Sequence, residues 1–174
     1  MLRRVRGMAL LAGLVLLVAG GCGSGPSKAD TEAVQSVLTQ YLKDRATRVT
    51  DEGTAMNGKP LTTAPLDPDF AVGVQSHARK LDERRAANSH TRAEVDVVLK
   101  SLEITDELAK ATVVDNTKLY LPSGGATAEA GGSKQDFSLN RGFTLKREGG
   151  QWVITGTWLD EPPNKKLPIT EVGG

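Results

Sequence analysis

The chain has 174 residues, of which 39% are hydrophobic, and this length and composition are typical of one globular domain. Its 22 basic and 21 acidic residues give a formal net charge of +1. Arg3, Arg4 and Arg6 all precede the first acidic residue, Asp30, in a segment that we expect to be removed, and without these three charges the chain carries about −2. Such a small charge does not favour a nucleic-acid partner, and we predict none.

The first 21 residues have the pattern of an export signal. Three arginines precede an uninterrupted apolar run, Met8–Val18. This run is far shorter than the roughly 20 residues that a membrane-spanning helix needs. The pattern therefore predicts a signal peptide over residues 1–21.

The end of this signal resembles a bacterial lipobox, since it has the sequence Val-Ala-Gly-Gly immediately before Cys22. The resemblance implies cleavage before Cys22 and attachment of diacylglycerol to its sulfur. Because Cys22 is the only cysteine, no disulfide can form within the chain. Two or more acyl chains, at ~0.8 kcal/mol per buried methylene, make a stable membrane anchor. The alternative is an ordinary signal peptide followed by an incidental cysteine.

Residues 22–29 follow as a flexible tether, and a first helix is predicted over Asp30–Val49. Asp30 or Thr31 can cap this helix. Its apolar side chains recur with helical spacing, at Val34, Val37, Leu38, Tyr41 and Leu42.

A second helix is predicted after a loop that spans Thr50–Leu66. Asp67 and Pro68 form a start signal, with a capping carboxylate and then proline at the first helical position. The helix is expected to end near residues 88–90. One face is predicted to carry Phe70, Val74, His77 and Leu81.

Four segments then alternate apolar and polar residues, which predicts half-buried strands. They are Arg92–Ile104, Ala109–Leu121, Phe137–Arg147 and Gln151–Leu159. The alternation changes phase within the first segment, which predicts a β-bulge near Val98–Lys100. Short breaks between segments favour antiparallel order. In the last segment, Trp152, Ile154 and Trp158 are predicted to lie on one face and to point into the core. Residues 161–174 are predicted to form a flexible tail.

The predicted fold class is α+β, with N-terminal helices packed on a curved, mainly four-stranded antiparallel sheet in a single domain over residues 30–160. This order of elements, the bulged first strand and the closing Gly-Gly-Gln-Trp-Val-Ile segment resemble the nuclear transport factor 2-like superfamily, whose fold is a cystatin-like cone. The resemblance implies helices on the concave face of the sheet, often with a pocket between them. That superfamily includes cyclases and dehydratases as well as non-catalytic modules.

Three polar residues interrupt predicted apolar faces, namely His77, Asp115 and Arg141. A buried charge is costly unless it is paired. Asp115 and Arg141 therefore either face each other across neighbouring strands or line a solvated cavity. In the enzymes that the chain resembles, an Asp and a His form the acid–base pair, so these three are candidate ligand-binding residues.

The sequence favours an extracytoplasmic, membrane-anchored lipoprotein with a non-catalytic module that binds a small molecule, a peptide or an envelope protein. One alternative is a small enzyme of the cyclase, isomerase or dehydratase kind, using Asp115 and His77 for proton transfer. Another is a structural accessory of an envelope complex. Two histidines and one cysteine do not supply a zinc-binding pattern, and we predict neither a metal nor a cofactor.

Overall fold

The computed structural model describes residues 25–122, 133–162 and 164–171. The predicted signal peptide and Cys22 lie outside the described residues. The elements, in chain order, are α1 (Lys28–Arg48), a 3-10 helix (Asp51–Met56), α2 (Pro68–Ala86), β1 (Arg92–Thr105), β2 (Leu108–Tyr120), β3 (Lys134–Glu148) and β4 (Gln151–Leu159).

Helix α1 begins two residues earlier than predicted, within the expected tether, because Ser27 caps it. The Ser27 hydroxyl accepts a hydrogen bond from the backbone N–H of Asp30 at 3.0 Å. The predicted apolar face is confirmed for the four residues that are buried, which are Val34, Leu38, Tyr41 and Leu42.

Helix α2 begins as predicted, with Asp67 as its cap and Pro68 at its first position. It ends at Ala86, before the predicted residues 88–90. Its buried residues are Val74, Ala78 and Leu81, which share one face at positions i, i+4 and i+7. The buried face thus centres on Ala78, and His77 lies at its edge, half-buried.

The four strands form one antiparallel sheet in the order β1-β2-β3-β4, which confirms the predicted fold class. The predicted bulge is also confirmed, since the register of β1 against β2 shifts between Leu99 and Ser101 and leaves Lys100 as the extra residue. After the bulge, Leu102 and Ile104 turn towards the helices. We call the helix-covered side the inner face of the sheet.

A second bulge, in β4, was not predicted from the sequence. Thr144 pairs with Gly156 and Leu145 with Ile154, so Thr155 is the extra residue. The bulge reverses the alternation of faces beyond it.

The placement of Trp158 on the same face as Trp152 is therefore wrong. Trp152 is buried on the inner face at 3% exposure, whereas Trp158 is 39% exposed on the outer face. The Trp158 ring covers Gly142, where an added Cβ would lie 1.9 Å from a ring carbon. Only glycine leaves room for the ring at this position.

The helices and the loop between them cover the inner face. Helix α1 packs mainly on β1, and α2 contacts α1 and β4. The loop joins the edge of the sheet where the Ile154 N–H donates to the Pro65 carbonyl at 3.0 Å. His90 lies in the connection between α2 and β1, where it is buried and forms a backbone bridge with Thr50.

The different environments of the two tryptophans predict different costs of removal. Trp152→Ala should lower the free energy of unfolding by about 3–5 kcal/mol, because it deletes a buried aromatic ring. Trp158→Ala should cost about 1–2 kcal/mol, because that ring is partly exposed. Urea titration of both variants measures the difference, and equal losses would contradict the second bulge.

Candidate functional site

Asp115 and Arg141 are paired on the inner face of the sheet. Asp115 on β2 lies opposite Leu139, and Arg141 on β3 lies opposite Val113, so the two charges are diagonal neighbours. The Arg141 Nε donates to Asp115 Oδ2 at 2.9 Å. The two side chains are buried, at 3% and 2% exposure. Of the two arrangements that the sequence leaves open, the structure has the buried pair.

The other oxygen of Asp115 is also occupied. The Thr117 hydroxyl, two residues along the same strand and on the same face, donates to Asp115 Oδ1 at 2.6 Å. Both carboxylate oxygens of Asp115 therefore accept a hydrogen bond from a neighbouring side chain.

Arg141 also binds a second carboxylate, that of Glu171, which comes from the end of the chain. The Glu171 carboxylate accepts hydrogen bonds from both terminal nitrogens of Arg141. It also accepts one from Arg45 Nη2 on α1, at 2.7 Å. We call Arg45, Asp115, Arg141 and Glu171 the four-charge cluster, and all four side chains are buried.

The charges within the cluster keep Glu171 ionised. Burial alone would raise the pKa of Glu171, but the charges of Arg45 and Arg141 and their hydrogen bonds outweigh it and hold the pKa below its usual value. Burial likewise lowers the pKa of Arg141, but Glu171 and Asp115 outweigh burial and raise it. Two cations and two anions thus balance within a site closed to solvent.

The backbone of the tail is held by arginines as well. Arg84 Nη1 on α2 donates to the carbonyls of Ile169 and Glu171, at 2.9 and 2.6 Å. Arg45 donates from Nε and Nη2 to the Thr170 carbonyl, at 3.0 and 2.8 Å. Residues 169–171 are therefore docked, which differs from the unstructured tail that the sequence predicts. The reason is that these contacts are long-range and leave no periodic pattern in the local sequence.

His77 is not a member of the four-charge cluster. It lies on α2 seven residues before Arg84, which is about 10 Å along the helix axis. As the structure describes it, the four-charge cluster brings Asp115 and Arg141 together without His77.

Sequence reasoning missed Arg45, Arg84 and Glu171. Arg45 could have been found, because it lies four residues after Tyr41, on the same stripe of α1 as the apolar residues. Arg84 lies three residues after the buried Leu81 on α2. Nothing in the local sequence marks Glu171.

A second arginine contact joins the two helices and the loop between them. Arg48 is 1% exposed and donates from Nε and Nη2 to the two oxygens of Asp82, at 3.0 and 2.8 Å. Its Nη1 donates to the carbonyls of Lys59 and Pro60, each at 3.1 Å. Arg85 Nη1 donates to the same carboxylate at 3.0 Å. Because Arg48 makes these four hydrogen bonds and is closed to solvent, its role is structural.

Two further searches of the described residues gave negative results. No group of three or more His, Cys, Asp or Glu side chains within the described ranges is placed to hold a metal ion. No helix in this part of the chain is long and apolar enough to cross a membrane.

No protein-family model and no curated protein matches the chain significantly. Among solved structures, the chain is similar to the intermembrane-space region of the chloroplast protein ARC6. The two are 11% identical, with a TM-score of 0.51, over 75% of this chain and 95% of that one. At this identity the likeness shows a shared fold alone.

Other similar structures include proteins described as NTF2-like. One, from Streptomyces avermitilis, is described as a candidate dehydratase of the NTF2-like family, with 14% identity and a TM-score of 0.46 over 75% of this chain and 95% of that one. Another is an NTF2-like protein involved in plasmid conjugation, with 10% identity and a TM-score of 0.45 over 79% of this chain and 51% of that one. These two scores are too low to establish a shared fold. The helices followed by a curved antiparallel sheet agree with the architecture of the superfamily that the sequence resembles.

The cluster predicts an asymmetric pattern of mutational losses. Arg141→Ala should lower the free energy of unfolding by about 3–5 kcal/mol, because it leaves the buried Asp115 without a counter-charge and removes one of the two cations that bind Glu171. Asp115→Ala should cost less, because Arg141 keeps Glu171. The double variant should cost less than the sum of the two single variants by more than about 1 kcal/mol.

The matched control for this cycle is the exposed pair Lys134 and Asp136, which is 3.1 Å apart at 46% and 53% side-chain exposure. Its coupling in the same urea titrations should stay under about 1 kcal/mol. Additive losses at Asp115 and Arg141 would contradict the buried pair.

The lowered pKa of Glu171 predicts a dependence of stability on pH. A carboxyl whose pKa is lowered by folding stabilises the folded state above its unfolded pKa, here 4.5, and this stabilisation is lost as the pH falls through the folded value. The difference in unfolding free energy between the wild type and Glu171→Gln should therefore be full at neutral pH and shrink below pH 4.5. Urea titrations of both proteins across this range measure it, and a constant difference would contradict the ionised cluster.

Proposed function

We propose that the chain is an extracytoplasmic lipoprotein, anchored to the membrane through Cys22, whose folded domain is a non-catalytic binding module. The hydrogen bonds that Asp115 already accepts support the proposal that the domain is non-catalytic. A general base must reach the proton that it takes within about 2.6–3.2 Å. Asp115 is 3% exposed, is paired with Arg141 and has both oxygens occupied. No oxygen of this carboxylate is open to a substrate.

The signal-like segment and the single cysteine support the anchoring. Lys28, the first residue of α1, lies six positions after Cys22, and this length of extended chain reaches at most about 22 Å. A lipid on Cys22 would therefore keep the domain close to the membrane surface.

The short connection also gives the domain an orientation. The beginning of α1 is held to the sheet, since Asp30 pairs with Arg147 and accepts a hydrogen bond from Trp152 Nε1 at 3.3 Å. This end would face the membrane. Arg45 lies 17 residues after Lys28, the first residue of α1, which is about 26 Å along the helix axis. The four-charge cluster would thus lie at the end of the domain that points away from the lipid.

Replacement of Cys22 tests the anchor. Cys22→Ser removes the sulfur that would carry the lipid, so the protein should move from the membrane fraction to the soluble fraction. Ser24→Ala, two residues away, is the matched control and should stay with the membrane. Membrane retention of Cys22→Ser, or a mature N-terminus mapped to another residue by mass spectrometry, would contradict the proposal.

A further inference from the structure

We propose that the arginines around the tail form a receptor site for an extended peptide segment of a partner protein, and that residues 169–171 of this chain occupy the site as an internal ligand. The partner segment must carry an acidic side chain. This inference rests on the proposed binding-module function and names its ligand class. It does not depend on the lipid anchor.

The first support is the charge balance of the folded domain without its tail. Arg45 and Arg141, which are 6% and 2% exposed with the tail in place, would then have one carboxylate between them, that of Asp115, which pairs with Arg141. A buried guanidinium without a counter-charge is costly. The helices and the sheet therefore build a site with one positive charge in excess, which a carboxylate from elsewhere must neutralise. In the structure this carboxylate belongs to Glu171.

The second support is that the site binds main chain as well as charge. The carbonyls of three successive tail residues, Ile169, Thr170 and Glu171, all accept hydrogen bonds from Arg45 or Arg84. These contacts do not depend on side-chain identity, so another extended segment can make them. A free inorganic anion can replace the carboxylate but not the three carbonyls. The arrangement therefore fits a peptide.

The third support is the way in which the tail is connected. After β4 ends at Leu159, the described residues 164–167 are all exposed and belong to no helix or strand. The docked part is short and held mainly by polar contacts, with Ile169 half-buried against the core. A ligand joined to its site by a short connection has an effective concentration in the millimolar range. The connecting segment has a further contact with the sheet, in which Lys165 Nζ donates to the Ser138 carbonyl at 2.9 Å.

A partner protein fits this site better than the tail of a second copy does. The tail of a second copy would make the same contacts as the chain's own tail, but it would also lose translational and rotational freedom. A partner segment can extend beyond the three docked positions and gain further contacts.

The test uses the full chain and a labelled peptide with the sequence of residues 165–174. Glu171→Ala should weaken the hold of the internal ligand, so this variant should bind the peptide at least tenfold more tightly than the wild type does. A peptide with glutamine in place of the glutamate should bind the variant at least tenfold more weakly. Glu103→Ala, an exposed acid on β1, is the matched control and should behave as the wild type.

A folded Glu171→Ala variant that binds neither peptide, or both equally, would overturn the inference. If Cys22→Ser is still released from the membrane in that case, the ligand class fails and the anchor stands.

Hydrogen exchange in the wild type decides the matter even if the variant does not fold. The Glu171 N–H donates to the Pro168 carbonyl at 2.9 Å. If the tail leaves the site independently, this amide should exchange at least 100-fold faster than the amide of Val113 in β2. Equal rates would make the tail a permanent part of the core. Concentration-dependent dimers in sedimentation, lost in Glu171→Ala, would assign the site to a second copy and overturn the partner.

Discussion

The arrangement of the molecule depends on the Arg141 guanidinium, which the sheet carries on its inner face beneath the helices. A charge in this position must be neutralised, and two carboxylates do so, Asp115 from the next strand and Glu171 from the tail. Glu171 in turn binds Arg45, so the same set of contacts includes α1. Sheet, helix and tail are therefore joined by one electrostatic constraint. Removal of Arg141 would leave Asp115 without its cation, and removal of Glu171 would leave Arg45 without its carboxylate.

This constraint explains how a domain with few aromatic residues positions its parts. An ion pair in the interior gains little over apolar packing, because the loss of hydration offsets the attraction between the charges. Removing one partner of a buried pair costs much more free energy, however, because the other charge stays buried without a partner. The cluster therefore raises the free energy of alternative placements of α1 and the tail more than it lowers that of the native placement. Arg48 binds Asp82 on α2 and two loop carbonyls, and this buried contact fixes the placement of the two helices and the loop in the same way.

The sequence predicts the fold well where the pattern is local, and the site only in part. Alternation located all four strands and the bulge at Lys100, because the phase change is visible in the apolar residues of β1. The bulge at Thr155 has no such signal, since Val153 and Leu159 make both faces of β4 apolar, and Trp158 was therefore misplaced. Asp115 and Arg141 could be found as charges on apolar faces. Glu171 could not, because its partners lie 126 and 30 residues away in sequence.

The chemistry of the docked tail also determines what the site can recognise. Apolar anchors select by shape, whereas arginines that bind a carboxylate and consecutive carbonyls select for charge and for an extended main chain. Because the guanidiniums of Arg45 and Arg141 are buried, dissolved salt screens their attraction to a bound carboxylate much less than it screens exposed pairs. Protonation of that carboxylate removes the attraction directly. Acid should therefore release a bound segment more effectively than salt does, and an internal ligand and a partner segment would share this response because they use the same two guanidiniums.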